Sequence, residues 1–177
     1  SIQSEKIDVL VGPTVSNVAV ATLPFIKSAG IPTLNPVACA TEIATTERLE
    51  NLVLTGWTCD QPSLPFGKYA YEVLGYRNIT TIGMDFNFGW QAVGGFVKSF
   101  TDAGGTIDQQ IWTPISTTDY SPYISQISKD TDAVFGLMSG GAGANFLAAY
   151  SSFGLKDTLP LIGAVSLTDQ STIGTVP

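Results

Sequence analysis

Short apolar runs alternate along the chain with segments whose apolar residues recur at helical spacing. The runs are rich in β-branched residues and predict buried strands, and the segments between them predict helices. The predicted strands are 7–11, 31–34, 52–54, 79–83, 106–112, 133–137 and 160–163. The predicted helices are 17–29, 41–44, 63–74, 89–103, 142–153 and one from 119 or 121 to 128. This alternation predicts an α/β fold in which parallel sheets are covered on both faces.

Capping residues and apolar stripes refine two of these helices. Ser16 is a favourable N-cap and Gly30 a favourable C-cap for the helix 17–29. Pro24 lies inside that helix and is expected to kink it or to shift its start. The helix 89–103 has a predicted apolar face formed by Trp90, Val93, Val97 and Phe100.

Ligands of parallel α/β sheets bind beyond the carboxyl ends of the strands, so the segments after each strand are the candidate sites. Ser16 begins a helix there, and N–H groups at a helix start attract anions, although Ser16 can also simply cap its helix. The segment 139–143 (SGGAG) lacks the Lys of a phosphate loop, and both a tight turn and a ligand-site wall fit it. Trp57 and Phe88 fit either a ligand contact or ordinary packing.

The composition is that of a folded protein with few catalytic options. The 177 residues are 44% hydrophobic, with 15 acidic residues, 8 basic residues and no histidine. The acidic balance disfavours nucleic acid and anionic membrane surfaces as partners, and no apolar run is long enough to span a membrane. The lack of histidine removes Ser-His-Asp and Cys-His catalysis and histidine–zinc sites. Enzymes are disfavoured but not excluded on these grounds, because Asp, Glu, Lys, Tyr and Cys remain as possible catalysts. Our prediction is a protein that is not an enzyme and needs no metal or cofactor.

The two cysteines, Cys39 and Cys59, form no metal-binding motif. A disulfide between them would close a loop of about twenty residues and stabilise the fold by roughly 3 kcal/mol. Two buried free thiols are the alternative. The sequence leaves both open, because the separation of the two Cα atoms decides between them.

Several segments, taken in order, carry a resemblance to a known family. They are 9–16 (VLVGPTVS), 30–36 (GIPTLNP), 55–61 (TGWTCDQ), 88–89 (FG), 117–123 (TTDYSPY) and 153–155 (FGL). Together they resemble the periplasmic substrate-binding proteins of branched-chain amino-acid ABC importers, which have the type I binding-protein fold. The resemblance spans nearly the whole chain and rests on the order and spacing of the segments.

The resemblance implies two α/β lobes, each with a parallel sheet, joined by a hinge and closing on a small solute. Residues 1–58 would form the second half of lobe one, 59–167 most of lobe two, and 168–177 the start of a truncated C-terminal segment. The family's chains are longer, so this chain is expected to be an incomplete piece of such a protein. An incomplete sheet exposes edges and apolar surface, and we expect the isolated chain to self-associate.

The resemblance also implies which residues of lobe one hold the solute. The family's carboxylate-binding serine falls on Ser16, with neighbouring N–H groups such as that of Asn17. The family's contacts after the next strand fall on Val37, Ala38 and Cys39, and Cys39 stands where the family has a threonine.

In lobe two the family's aromatic clamp falls on Phe88 and a second family tyrosine falls on Ser139. Trp57 is expected to stack on the solute together with Phe88. The acid that holds a substrate ammonium in the amino-acid binders falls near Val165, which carries no charge. An unpaired buried ammonium is costly, so an aromatic or aliphatic carboxylate is favoured over an amino acid unless Asp85 compensates.

These implications predict a periplasmic or lipoprotein-anchored solute-binding component of an ABC importer, which works with a membrane permease. A ligand-sensing domain of a regulator or receptor with the same fold is the first alternative. A doubly wound α/β enzyme is a more distant alternative, because it needs a base and a nucleophile in one cleft.

Overall fold

The computed structural model describes residues 6–164 and 166–174 and confirms the predicted α/β architecture with parallel sheets. The chain divides into two units, Ser1–Cys59 and Asp60–Pro177. Each unit has its own sheet, and no strand among the described residues is shared between the two sheets.

The first unit is built on a three-stranded parallel sheet with strand order β1-β2-β3. Its elements are β1 (Leu10–Val11), α1 (Ser16–Ala29), β2 (Thr33–Asn35), α2 (Thr41–Ala44) and β3 (Leu52–Leu54). The buried residues of α1 are Ser16, Ala19, Leu23 and Ile26, which recur every three or four positions as one helical stripe. This stripe packs against Ala38 and Ala40, which follow β2. The core of the first unit therefore contains few large side chains.

The second unit is built on a four-stranded parallel sheet with strand order β5-β4-β6-β7. Its strands are β4 (Asn78–Met84), β5 (Thr106–Thr113), β6 (Ala133–Leu137) and β7 (Leu161–Gly163). Its helices are α3 (Leu64–Glu72), α4 (Asn87–Asp102), α5 (Ser121–Ile124), α6 (Gly140–Ser152) and α7 (Gln170–Ile173), with a 3₁₀ turn at Leu155–Asp157.

Both faces of the central strands of this second sheet are covered. Along β6, Ala133, Phe135 and Leu137 enter one apolar cluster and Val134 enters another, because successive side chains of a strand point to opposite faces. Phe96 of α4 stacks on Phe135, with ring centroids 4.0 Å apart. The sheet therefore lies between two apolar layers, as the continuous apolar strands predicted.

The predicted bounds hold best where apolar runs are short and sharply delimited. The strands 52–54 and 133–137 and the helix 41–44 begin and end at the predicted residues. The first strand is shorter than the predicted 7–11 and comprises only Leu10–Val11. The helix predicted to reach 128 ends at Ile124 as α5, and α7 was not predicted.

Two predictions about helices α1 and α4 are wrong in detail. Gly30 ends α1 with φ 65°, as predicted, but the N-cap is Val15, and Ser16 is already inside the helix with its side chain turned inward. Trp90 does not join the buried face of α4; it is exposed, because it lies in the first turn, where its indole N–H donates to Asp85. Phe96 completes the buried face instead.

Candidate functional site

The carboxyl ends of β1, β2 and β3 meet at one edge of the first sheet, because the strands are parallel. Ser16 lies beside this edge and is only 3% exposed. Its Oγ accepts a hydrogen bond from the Cys39 N–H at 3.3 Å. The same Oγ lies 3.7 Å from the Cys39 Sγ and 3.6 Å from the Cys59 Sγ. The Ser16 side chain is thus engaged inside the first unit.

Cys39 and Cys59 form a disulfide, which decides between the two interpretations that the sequence left open. Their Cα atoms are 4.7 Å apart, within the range that a disulfide spans without backbone movement. Because a disulfide sulfur carries no hydrogen, the single O–H hydrogen of Ser16 is the donor that faces both sulfurs. The disulfide joins the segment after β2 to the segment after β3.

The segment after β2 exposes one of its three predicted site residues. Among its predicted site residues only Val37 is exposed, whereas Ala38 and Cys39 are buried. The Val37 N–H donates to the Asn35 Oδ1 at 3.3 Å, while the Asn35 Nδ2 is buried with no hydrogen-bond partner among the described residues. Asn35 begins one of the candidate segments that follow the predicted strands, but the sequence analysis gave it no role of its own; its place as the last polar residue of an apolar strand was the available signal.

The segment after β3 carries Trp57, whose side chain is 59% exposed. The Thr55 N–H donates to the Asn35 carbonyl at 3.0 Å, and the Cys59 N–H donates to the Cys39 carbonyl at 2.7 Å. Trp57 therefore stands between two backbone hydrogen bonds to the neighbouring segment. At the start of α1, Asn17 is exposed, and its Oδ1 accepts from the Val18 N–H at 3.0 Å.

The second unit has aromatic side chains at the carboxyl end of β4. Phe86 and Phe88 are half-buried, and their ring centroids lie 5.9 Å apart. Phe86 packs against one apolar cluster of the unit and Phe88 against the other, so both rings combine a core contact with a partly accessible surface. A Cβ at Gly89 would collide with the Met84 carbonyl, which explains glycine at this tight strand-to-helix turn.

Asp85 and Trp90 form a pair beside these rings that sequence analysis did not detect. The Trp90 Nε1–H donates to the Asp85 Oδ1 at 2.8 Å, and both side chains are exposed. The signal was the placement of Asp85 directly after an apolar strand. One carboxylate oxygen of Asp85 is thus engaged by an indole N–H.

The carboxyl end of β6 leads into α6 through a glycine-rich turn. Ser139 is half-buried, and its Oγ donates to the Met84 Sδ at 3.8 Å. Gly140 has φ 55°, a conformation that favours glycine, and it begins α6, so the strand-to-helix turn lies at Ser139 and Gly140 and residues 140–143 form the first turn of the helix. The position near Val165, where the family's acid falls, lies outside the described residues.

Shifted pKa values occur where side chains support the fold. The Ser121 backbone N–H holds the pKa of Asp119 below its ordinary value at the turn before α5. Burial raises the pKa values of Tyr120 and Tyr150, which lie in the core of the second unit. Across 6–164 and 166–174, no three His, Cys, Asp or Glu side chains are grouped so that they could hold a metal ion.

Parallel α/β sheets bind ligands beyond the carboxyl ends of their strands, and the candidate residues of each unit lie there. The periplasmic binding protein family model matches residues 1–176. The chain therefore belongs to the periplasmic binding protein family.

The proteins similar to this chain are themselves named as solute-binding proteins. A Leu/Ile/Val-binding protein homolog 6 from Brucella melitensis is 30% identical over 174 residues, covering 96% of this chain and 44% of the relative. A solute-binding protein of an ABC transporter from R. palustris, solved with benzoate, is 30% identical with a TM-score of 0.92, covering 99% of this chain and 48% of that one. Another from Rhodopseudomonas palustris, solved with 3,4-dihydroxy benzoic acid, is 28% identical with a TM-score of 0.88, covering 97% and 47%. The chain spans less than half the length of these proteins.

Proposed function

We propose that this chain is part of the solute-binding component of an ABC importer and that its solute is a small carboxylate, with an aromatic acid as the best fit. The observation that carries the proposal is the aromatic lining at the carboxyl ends of the strands in each sheet. Trp57 follows β3 in the first unit, and Phe86 and Phe88 follow β4 in the second. Aromatic rings recognise other rings through stacked or edge-to-face contacts. Two similar proteins solved with benzoates support the same solute class.

The carboxylate is held in this proposal by backbone N–H groups of the first unit. The first N–H groups of α1, at Ser16 and Asn17, have no acceptor inside the helix and lie at the positive end of its dipole. In the neighbouring segment the Val37 and Cys39 N–H groups are bonded to the Asn35 Oδ1 and the Ser16 Oγ, so Ala38 is the residue proposed to offer its N–H, with Val37 and Cys39 fixing the backbone around it. The Ser16 hydroxyl contributes indirectly, because it is bonded to the Cys39 N–H. In the second unit, Phe88 and Ser139 are the proposed solute contacts.

An amino acid is a poorer candidate than a simple acid. A bound α-ammonium needs an anionic partner once water is excluded. The acid that pairs with a substrate ammonium in the amino-acid binders falls near Val165, which carries no charge. The solute is captured, in this proposal, by closure of two lobes, a movement that makes and breaks no bond. The protein acts as a binding protein and not as an enzyme.

The proposed location is outside the cytoplasm, in the periplasm or on a lipoprotein anchor, with a membrane permease as partner. The disulfide supports this location, because disulfides persist in oxidising compartments. None of the helices in the described part of the chain is long and apolar enough to cross a bilayer.

A thermal-shift panel on the natural polypeptide that carries these residues tests the proposed solute class. A solute present at 100 times its Kd stabilises the folded state by about 2.7 kcal/mol. We expect benzoate and 4-hydroxybenzoate to raise the unfolding temperature and leucine to leave it unchanged. Stabilisation by leucine with none by either benzoate would overturn the assignment to acids.

A further inference from the structure

The segments 35–39 and 55–59 of the first unit are joined at both ends. At one end, the Thr55 N–H and Oγ1 both point to the Asn35 carbonyl, at 3.0 Å and 3.4 Å. At the other end, the Cys59 N–H donates to the Cys39 carbonyl at 2.7 Å, and the Cys39–Cys59 disulfide adds a covalent link. Only three residues separate Thr55 from Cys59, so the joined ends leave this backbone few conformations.

Trp57 is the large side chain that this short loop exposes. Its ring is 59% exposed, although Thr58 and Cys59 directly after it are buried. On its other side, Gly56 approaches the opposite segment so closely that a Cβ there would lie 3.3 Å from the Pro36 carbonyl oxygen. The residues on both sides of Trp57 are thus fixed while its ring faces outward.

Ser16 connects this cross-linked loop to α1. Its buried Oγ accepts from the Cys39 N–H and contacts both sulfurs of the disulfide. Ser16 also belongs to the buried stripe of α1, so the helix start and the disulfide are held in one packed cluster. The Ser16 hydroxyl therefore supports the loop from inside the unit. Ser16 itself is only 3% exposed to solvent.

We propose that Ser16 and the Cys39–Cys59 disulfide form a clamp that holds Trp57 in place as the aromatic recognition surface of the first unit. Trp57 is then the residue that sets specificity for ring-bearing solutes, and the Ser16 side chain is a positioning residue. Holding an exposed ring in its bound conformation lowers the entropy lost on binding. The specificity part rests on the proposed function, whereas the positioning part stands without it.

Time-resolved fluorescence anisotropy of Trp57 tests the positioning part without any solute. In the natural polypeptide, every tryptophan other than Trp57 (Trp90 and Trp112 among them) is replaced by Phe, so that Trp57 is the sole tryptophan. In this background we expect Cys39→Ala/Cys59→Ala to raise the amplitude of fast Trp57 motion at least about twofold, since a closed loop is released. Unchanged Trp57 motion in that variant, with helix content retained by circular dichroism, would overturn the clamp.

Ser16→Ala keeps the disulfide and tests the clamp should the double variant fail to fold. We expect a smaller rise in Trp57 motion, with Ser16→Thr restoring the original value because it keeps the hydroxyl. Ser28→Ala is the matched control, since Ser28 also lies in α1 but its Oγ bonds the Phe25 carbonyl near the far end of the helix. Equal effects of Ser16→Ala and Ser28→Ala would reject Ser16 as a positioning residue.

The specificity part is tested by comparing benzoate with cyclohexanecarboxylate, an acid of similar size without a π-system. We expect Trp57→Ala to reduce the preference for benzoate by roughly three- to tenfold and Trp57→Phe to retain most of it. Equal losses for both acids would overturn the specificity role. Binding of neither acid to the unsubstituted natural polypeptide would overturn the proposed function and the specificity role together, while the anisotropy result still decides the clamp.

Discussion

The two sheets differ in how their faces are covered. In the second unit all five residues of β6 are buried, and apolar clusters lie on both faces. In the first unit Val11, Leu34 and Val53 are directly paired across the three strands and are 67%, 40% and 54% exposed. Parallel sheets are normally covered on both faces. The second unit thus covers both faces of its central strand with its own side chains. The first unit leaves the row Val11, Leu34 and Val53 exposed on one face of its sheet.

The two units also rely on different stabilising interactions. The second unit buries large side chains, among them Phe96, Phe100, Phe135, Phe146, Tyr120 and Tyr150. The core of the first unit is built from small residues and a few aliphatic ones, namely Ala19, Leu23, Ala38, Ala40 and Ile43. The disulfide therefore supplements a small core in the first unit, whereas the second unit relies on packed aromatic side chains.

The largest expected effect is that of Phe96→Ala in the second unit. Phe96 is fully buried and stacked on Phe135, so the substitution opens a cavity and costs about 3–5 kcal/mol of unfolding free energy. Phe25→Ala is the matched control, because Phe25 is exposed on α1 and its loss costs at most about 0.5 kcal/mol. Urea unfolding measures both. Similar costs for the two variants would contradict the assignment of the main core to the second unit.

Removal of the disulfide is expected to have the next largest effect, confined to the first unit. The bridge links residues 20 positions apart, and its loss in Cys39→Ala/Cys59→Ala costs about 3 kcal/mol in the chain-entropy model. Hydrogen exchange should show faster exchange of backbone N–H groups in β2 and unchanged protection in β4. Equal loss of protection in both strands would show that the units do not depend on separate interactions.

Alkaline pH is expected to destabilise the second unit selectively. All six tyrosines lie after residue 59, and burial raises the pKa values of Tyr120 and Tyr150 above the ordinary value near 10. A raised folded-state pKa gives stability that is present below pH 10 and is lost as the pH rises through the folded value. Each of these groups contributes a slope of at most about 1.4 kcal/mol per pH unit.

Tyr150→Phe checks this assignment, since it removes one ionisable group and also the hydrogen bond to the Leu159 carbonyl. The variant should be less stable at neutral pH but should lose less stability between pH 10 and pH 11 than the unsubstituted chain. Tyr69→Phe is the control at an exposed tyrosine. An identical pH profile for Tyr150→Phe and the unsubstituted chain would contradict the prediction.

The smallest expected effect on folding stability comes from substitutions in the exposed row of the first sheet formed by Val11, Leu34 and Val53. The same substitutions are expected to change the association of the chain most clearly. We propose that the isolated chain self-associates through Val11, Leu34 and Val53, since no other polypeptide is present to cover them. Val53→Lys should lower the average mass measured by light scattering, whereas Val73→Lys, at an exposed site after α3, should not. A stable monomer at high concentration would contradict self-association.

Local sequence pattern predicted the elements well where they are short and sharply bounded, as for β3 and β6. It failed where tertiary contacts decide the outcome. Trp90 fits the helical spacing of a buried face, yet Asp85 holds its ring outside the core. The disulfide was left open because no local pattern gives a Cα separation. The inward orientation of Ser16 could have been predicted in part from the sequence, because Ser16, Ala19 and Leu23 have the spacing of one buried helical stripe.

Isothermal titration calorimetry with benzoate and benzamide, on the natural polypeptide that carries these residues, tests the central claim most directly. The two molecules have nearly the same shape, but only benzoate has a charge that backbone N–H groups recognise strongly. We predict 1:1 binding of benzoate and an affinity for benzamide that is weaker by about tenfold or more. Equal affinities for the two, or tight binding of leucine without any heat from benzoate, would contradict the capture of a carboxylate solute.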